Sequence, residues 1–124
     1  MSSRLVRDNV IIIRRFEERL IKATQNYLTL LKNLGVTAPL MLHITLLGVR
    51  GVTLKTDVHA ADAKAEISPI EGDDLLLPGL LIQSFDERPE EILHSSFDIV
   101  WNAGGFERSL NYAEDGNYSP QAEG

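Results

Sequence analysis

The chain has no cysteine among its 124 residues. It therefore has no disulfide frame, no thiolate nucleophile and no thiolate metal site. That absence suits a reducing compartment, and a cytoplasmic protein is expected. Aromatic residues are scarce, at 6%, so the core should be built from leucine, isoleucine and valine. No apolar run approaches the roughly 20 residues that cross a bilayer. Near the N-terminus Arg7, Asp8 and Asn9 interrupt any apolar core of the secretion type. Basic charge is also short: 12 Lys and Arg stand against 18 Asp and Glu, a net charge of −6. Proteins that grip phosphates carry a basic surface, so direct nucleic-acid binding by this chain is not expected. Arg4, Arg7, Arg14, Arg15 and Arg19 do gather near the N-terminus. They read as a charged leader followed by a solvated helix face.

The motifs of catalysis are missing too. There is no Gly-x-Gly-x-x-Gly, no P-loop and no serine in a nucleophile elbow. The three histidines are far apart. His43 lies in an apolar run and His94 beside the apolar stripe of a helix, and only the fold could bring them together. Asp57, His59, Asp62 and Glu66 form the one group with anything like metal-ligand spacing. A solvated acidic loop explains that group without a metal. Asp86, Glu87, Glu90 and Glu91 resemble paired catalytic carboxylates, but they stand at a helix start, where the helix dipole accounts for them. The expectation is a non-enzymatic chain with no cofactor and no metal.

What is present is pattern. Ile13, Phe16, Leu20, Ala23, Tyr27, Leu30 and Leu34 alternate spacings of three and four without a slip. That is an a/d heptad stripe on a long helix. Glu18 and Lys22 stand four apart in the favourable order. Gly35 follows the last apolar position as a left-handed cap, Val36 can pack back on the final turn, and Pro39 prevents the helix from resuming. The start of the helix stays open, because Asp8 suits an N-cap while Val10 to Ile13 is a β-branched run that prefers a strand. The stripe itself has two readings: an ordinary core helix, or a seam between protomers. Leu28 and Leu31 lie off the strict stripe, so the helix is apolar on more than one side and calls for a second cover. A homo-oligomer follows from the second reading, a dimer first.

Further along, residues 40–56 read as a β-hairpin around Gly48-Val49-Arg50-Gly51. Leu75 to Gln83 reads as an edge strand, a bulged strand or two short strands, because Pro78 cannot donate to a ladder, and one interrupted strand pairing with that hairpin is the form expected. Pro89 opens a second helix, with Leu93, Phe97, Val100, Trp101 and Gly104 as its inner stripe and Gly104-Gly105 as its end. The predicted class is α+β: a long N-terminal helix and a second C-terminal helix packed on a small, mostly antiparallel sheet. The length suits one domain over 1–124, with an ordered core of about 10–112 and a flexible tail over 113–124.

Three stretches carry a resemblance: Leu46-Leu47-Gly48-Val49-Arg50-Gly51, Asp73-Asp74-Leu75-Leu76-Leu77-Pro78, and Trp101-Asn102-Ala103-Gly104-Gly105-Phe106 leading to Leu110-Asn111-Tyr112. They resemble the C-terminal region of bacterial proteins whose N-terminal part is a Schlafen-like, AlbA-type DNA-binding domain, over roughly residues 12 to 118. The resemblance implies that this chain is a piece of a longer regulatory protein, and that any DNA contact lies in the other part. It transfers no catalytic residue to any position here. The reading that follows is an accessory or oligomerisation domain. The alternative is a small-molecule sensor with a pocket between sheet and helices, and a weak nucleic-acid module on the N-terminal arginines comes third.

Overall fold

A computed structural model of the chain describes residues 6–7, 10–56 and 67–120. Val10, Ile11 and Ile12 resolve the open question at the first helix. They form β2 (Val10–Ile12), antiparallel to β1 (Val6–Arg7). Three β-branched side chains fit a pleated surface better than a helical turn. The strand runs straight into α1 (Ile13–Asn33), with no side-chain cap at Ile12. Glu18 pairs back to Arg14 at 3.1 Å, an i,i+4 contact on the exposed surface, and not forward to Lys22.

The end of α1 follows the expected cap. Gly35 has φ +86, a conformation that costs a residue with a Cβ. Its N–H donates to Lys32 O at 3.1 Å, and the N–H of Val36 donates to Leu31 O at 3.0 Å. This pair of reversed bonds is the Schellman arrangement, which satisfies carbonyls the helix would otherwise leave open. Pro39 then directs the chain into β3 (Leu40–Leu42).

The hairpin expected over 40–56 does not form. β3 pairs antiparallel with β7 (Leu80–Ile82), and β4 (Thr45–Leu46) pairs antiparallel with β6 (Leu75–Leu76). β5 (Thr53–Lys55) leaves this ribbon and pairs parallel with β2, Ile11 opposite Leu54. The turn at Val49–Val52 closes locally, with Val52 N–H on Val49 O and Gly51 at φ +81. Its outer groups then bond to the 70–74 segment: Val49 N–H to Asp73 O, Gly51 N–H to Ile70 O, and Gly48 N–H to Asp74 Oδ1. The two glycines serve a turn, but one docked on a distant segment.

The ribbon has a defect. Leu42 stands opposite Leu80 and Thr45 opposite Leu76, so His43 and Ile44 face three residues, Leu77, Pro78 and Gly79. The extra residue is a bulge at the proline, which has no N–H for the ladder. Leu77 N–H on Ile44 O at 3.0 Å carries the pairing up to it. Of the forms read for 75–83, the one found is two short strands on either side of a bulge, paired with the 40–46 stretch.

The second helix also comes in two pieces, α2 (Pro89–Ile92) and α3 (His94–Ala103), joined at Leu93. Leu93 N–H bonds Pro89 O and Phe97 N–H bonds Leu93 O, so the break is a single tightened residue. Pro89 is in the first turn as expected. α3 ends as α1 does: Gly105 N–H reaches Asn102 O and Phe106 N–H reaches Trp101 O, with Gly105 at φ +98. The Phe106 ring seals this cap edge-on against Trp101, centroids 4.9 Å apart.

The class is α+β; among the described residues the strand pairs are antiparallel except β2 with β5. The described strands form three small sheets, not one. The main core gathers Ile11, Ile13, Phe16, Val52, Leu54 and the predicted α3 stripe of Leu93, Phe97, Val100 and Trp101. Gly104 completes it, since a Cβ there would stand 2.6 Å from Leu54 Cδ1. A second cluster joins Leu28 of α1 to Ile82 and Ile92. Among the described residues no helix is long and apolar enough to cross a membrane.

Candidate functional site

The heptad stripe of α1 does not stay on one side of the molecule. Ile13 and Phe16 lie in the core, and Leu20 packs against it. Ala23 is exposed, and Tyr27, Leu30 and Leu34 are exposed by 56%, 52% and 69%. The cause is geometric. A strict seven-residue repeat slips about 20° per heptad on a straight helix. Three heptads from Ile13 to Leu34 therefore rotate the stripe by about 60°, out of the core and into solvent. The inner face is taken over by Thr24 and Leu28, both buried. Leu28, which lies off the stripe, supplies the internal contact, and the end of the stripe is left uncovered.

The buried face of α1 also holds a residue that the apolar pattern hid. Glu17 follows Ile13 by one turn, on the same side, and is 0% exposed. Trp101 Nε1–H and the Ser109 hydroxyl donate to its Oε2, each at 2.8 Å. The Asn111 amide at 2.6 Å and the Tyr118 hydroxyl at 3.2 Å donate to its Oε1. Burial pushes this carboxyl above its ordinary range, and the bonds from Asn111, Trp101, Ser109 and Tyr118 pull it back only in part. Burial, with the Glu17 charge beside it, raises the Tyr118 hydroxyl as well, so that hydroxyl remains a donor.

Two donors on each oxygen use the acceptor capacity of a carboxylate. Nothing is left for a substrate, and no solvent reaches it. The group ties the chain together: it fastens α1 to α3 and to the segment after it. That segment closes on itself, with Ala113 N–H on Asn117 O and Ser119 N–H on Asn111 O, which sets Tyr118 edge-on to Tyr112. A second tie runs beside it. Asp98 Oδ1 accepts the Ser109 N–H at 2.8 Å, and the His94 ring stacks on Tyr112 with centroids 3.7 Å apart. The signal in the sequence was a single carboxylate inside an apolar helix face. Its donors lie 84 to 101 positions away, beyond the reach of any local pattern.

The remaining candidates separate. His43 packs at the bulge, where a Cβ on Gly79 would meet its ring at 2.8 Å, while His94 belongs to Tyr112. The Asp57, His59, Asp62 and Glu66 group lies outside the described residues. Among the described residues no group of three His, Asp or Glu side chains could hold a metal ion. Glu87 binds back onto the N–H groups of Gln83 and Ser84, and Glu91 pairs with Arg88. Arg15 and Arg19 are exposed on α1, as a solvated face requires. A half-open groove of about 370 Å³ lies between the 68–75 segment and the end of α3, lined by Ile70, Glu71, Asp74 and Asn102 among others. Two of its polar side chains are engaged: Asn102 Nδ2 donates to Phe106 O and Glu107 O, and Asp74 Oδ1 accepts from Gly48 N–H.

No family model, no curated protein and no solved structure matches this chain.

Proposed function

We propose that the chain is a non-enzymatic association domain, acting in the cytoplasm, that pairs with itself through the second half of α1. The observation that carries this is the exposed run of Tyr27, Leu30 and Leu34, large apolar side chains at heptad spacing on a helix whose opposite side is already packed. A stripe of that period is the pattern another helix covers. The resemblance of the 46–51, 73–78 and 101–112 stretches supports a place for this domain within a larger bacterial DNA-binding regulator. The net charge of −6 agrees with a DNA contact made elsewhere in that protein.

Light scattering behind a sizing column, over a concentration series, tests the reading. The expected result is a mass that rises above 13.8 kDa with concentration. Leu30→Glu and Leu34→Glu should return it to the monomer with the helical circular dichroism unchanged. A monomer at every concentration overturns it.

The half-open groove beside Asn102 supports a second reading, a small-molecule sensor. A compound screen by thermal shift that raises the melting midpoint would favour it, since a ligand that binds only the folded state stabilises that state.

A further inference from the structure

We infer that the outward ridge of α1 is a contact for the phosphate backbone of nucleic acid, made without regard to base sequence. Arg15, Arg19, Lys22, Asn26, Thr29 and Asn33 are all exposed. Their spacing holds them in one line along α1, on the side opposite the buried Glu17, Thr24 and Leu28. Each of the six can donate a hydrogen bond, and none is a carboxylate. Among the described residues Arg15, Arg19 and Lys22 pair with no carboxylate, and Glu18 beside them is taken by Arg14 at 3.1 Å. A shallow hollow of about 240 Å³ runs along the three cations.

The charge of the whole chain conceals this ridge. Residues 1–33 carry seven Lys and Arg against three Asp and Glu, while the rest of the chain carries five against fifteen. Of those three acids Glu17 is buried and Glu18 is paired. From Arg19 to Thr56 there is no Asp or Glu at all. Charge segregated in this way fits an anionic partner. The form of the ridge selects among such partners. Three cations over two turns, about 10 Å of helix, meet about three phosphates of a strand that carries one charge per about 3.4 Å. Asn26, Thr29 and Asn33 continue the line with neutral donors of the kind that also bind phosphate oxygens. A lipid surface or an acidic amphipathic peptide would need apolar side chains on the same line. Those of α1, Tyr27, Leu30 and Leu34, stand about a quarter-turn aside. A backbone contact carries no sequence information, so it is compatible with a sequence-reading contact elsewhere in a larger protein. It is also independent of self-pairing, which uses the apolar side of α1.

Fluorescence anisotropy of a labelled mixed-sequence DNA duplex, titrated with the full chain over a salt series, tests the contact. Binding is expected at low salt, with log affinity falling against log salt at a slope of about −2.7 for three phosphates. A fourfold rise in salt should then weaken binding about 40-fold. A second duplex of unrelated sequence should bind equally well. Arg15→Gln, Arg19→Gln and Lys22→Gln should each reduce the slope by about one. Lys32→Gln, on another side of α1, should leave it unchanged. All four side chains are exposed, and helical circular dichroism checks that each variant keeps its fold. No anisotropy change at low salt overturns the inference. So does a slope that the three ridge variants leave alone, or one that Lys32→Gln lowers as much as they do. Displacement of the duplex by polyglutamate at equal charge would assign the ridge to an acidic protein segment. Binding to phosphatidylserine vesicles without binding to the duplex would assign it to a membrane surface. Either of these results also overturns it.

Discussion

Trp101 Nε1 donates to Glu17 Oε2 at 2.8 Å, joining α3 to α1 across 84 positions of sequence. The indole can only donate, and the buried carboxylate has no cation among its hydrogen-bond partners. The negative charge is held by neutral donors alone. The chain's single tryptophan is thereby an intrinsic reporter of its central polar contact.

Removing that acceptor should be among the costliest single changes available. Glu17→Ala leaves Trp101 and Asn111 as buried donors without partners, at about 1–3 kcal/mol each, and opens a void beside them. A loss of about 3 kcal/mol or more is expected in urea denaturation followed by Trp101 fluorescence. Glu17→Gln keeps an oxygen for Trp101, while the Asn111 amide and Tyr118 hydroxyl can turn to accept from its nitrogen. About 1–2 kcal/mol is expected for that variant.

The same carboxyl sets a pH signature. Its folded-state pKa is raised above the ordinary 4.5, chiefly by burial. A raised value means that the folded state holds the proton more tightly than the unfolded chain. The resulting stability is full below 4.5 and is lost as pH climbs through the folded value, after which the curve is flat. The stability of the wild type minus that of Glu17→Gln should therefore fall as pH rises from 4.5 and then level off. A difference independent of pH, or one that grows, would show that the four donors outweigh burial.

Ser96 offers a change in the other direction. Its hydroxyl is fully buried in α3 and has no hydrogen-bond partner among the described residues. Ser96→Ala removes an unsatisfied polar atom and little volume, so stability should hold or rise by about 1 kcal/mol. A clear loss in thermal or urea unfolding would mean that the hydroxyl has a partner after all.

Gly104 tests the packing of α3 on β5. A methyl there would meet Leu54 Cδ1 and Cγ at 2.6 Å. Gly104→Ala should cost about 1–3 kcal/mol by overpacking. The penalty should shrink in a Leu54→Ala background, where the opposing atoms are gone. A double-mutant cycle with no coupling would place the strain elsewhere.

The parts legible in the sequence were those fixed by neighbours. Gly35 and Gly105 ended their helices where an apolar periodicity stopped, and Leu93, Phe97, Val100 and Trp101 faced inward because their spacing places them on one side of a turn. Residues 40–56 were illegible for a physical reason. Leu40 and Leu46 meet partners some thirty to forty positions on, and β5 prefers β2, so the turn between them does not define a hairpin. The reversal along α1 was legible in principle. The same heptad count that marks the stripe also dictates its rotation away from a fixed core, as Leu28 buried and Leu30 exposed demonstrate.

The bulge at Pro78-Gly79 works as a change of parity. Before it the odd-numbered Leu75 and Leu77 turn inward; after it the even-numbered Leu80 and Ile82 do, while Leu76 and Leu81 point out. Opposite them, Leu40, Leu42, Ile44 and Leu46 keep one phase throughout. A strand has only two phases, so this single surplus residue reconciles two stretches written out of step. Excising it would mend the ladder and at the same time turn Ile82, the centre of the second cluster, towards water, so the apparent imperfection in hydrogen bonding is what lets one segment serve both cores.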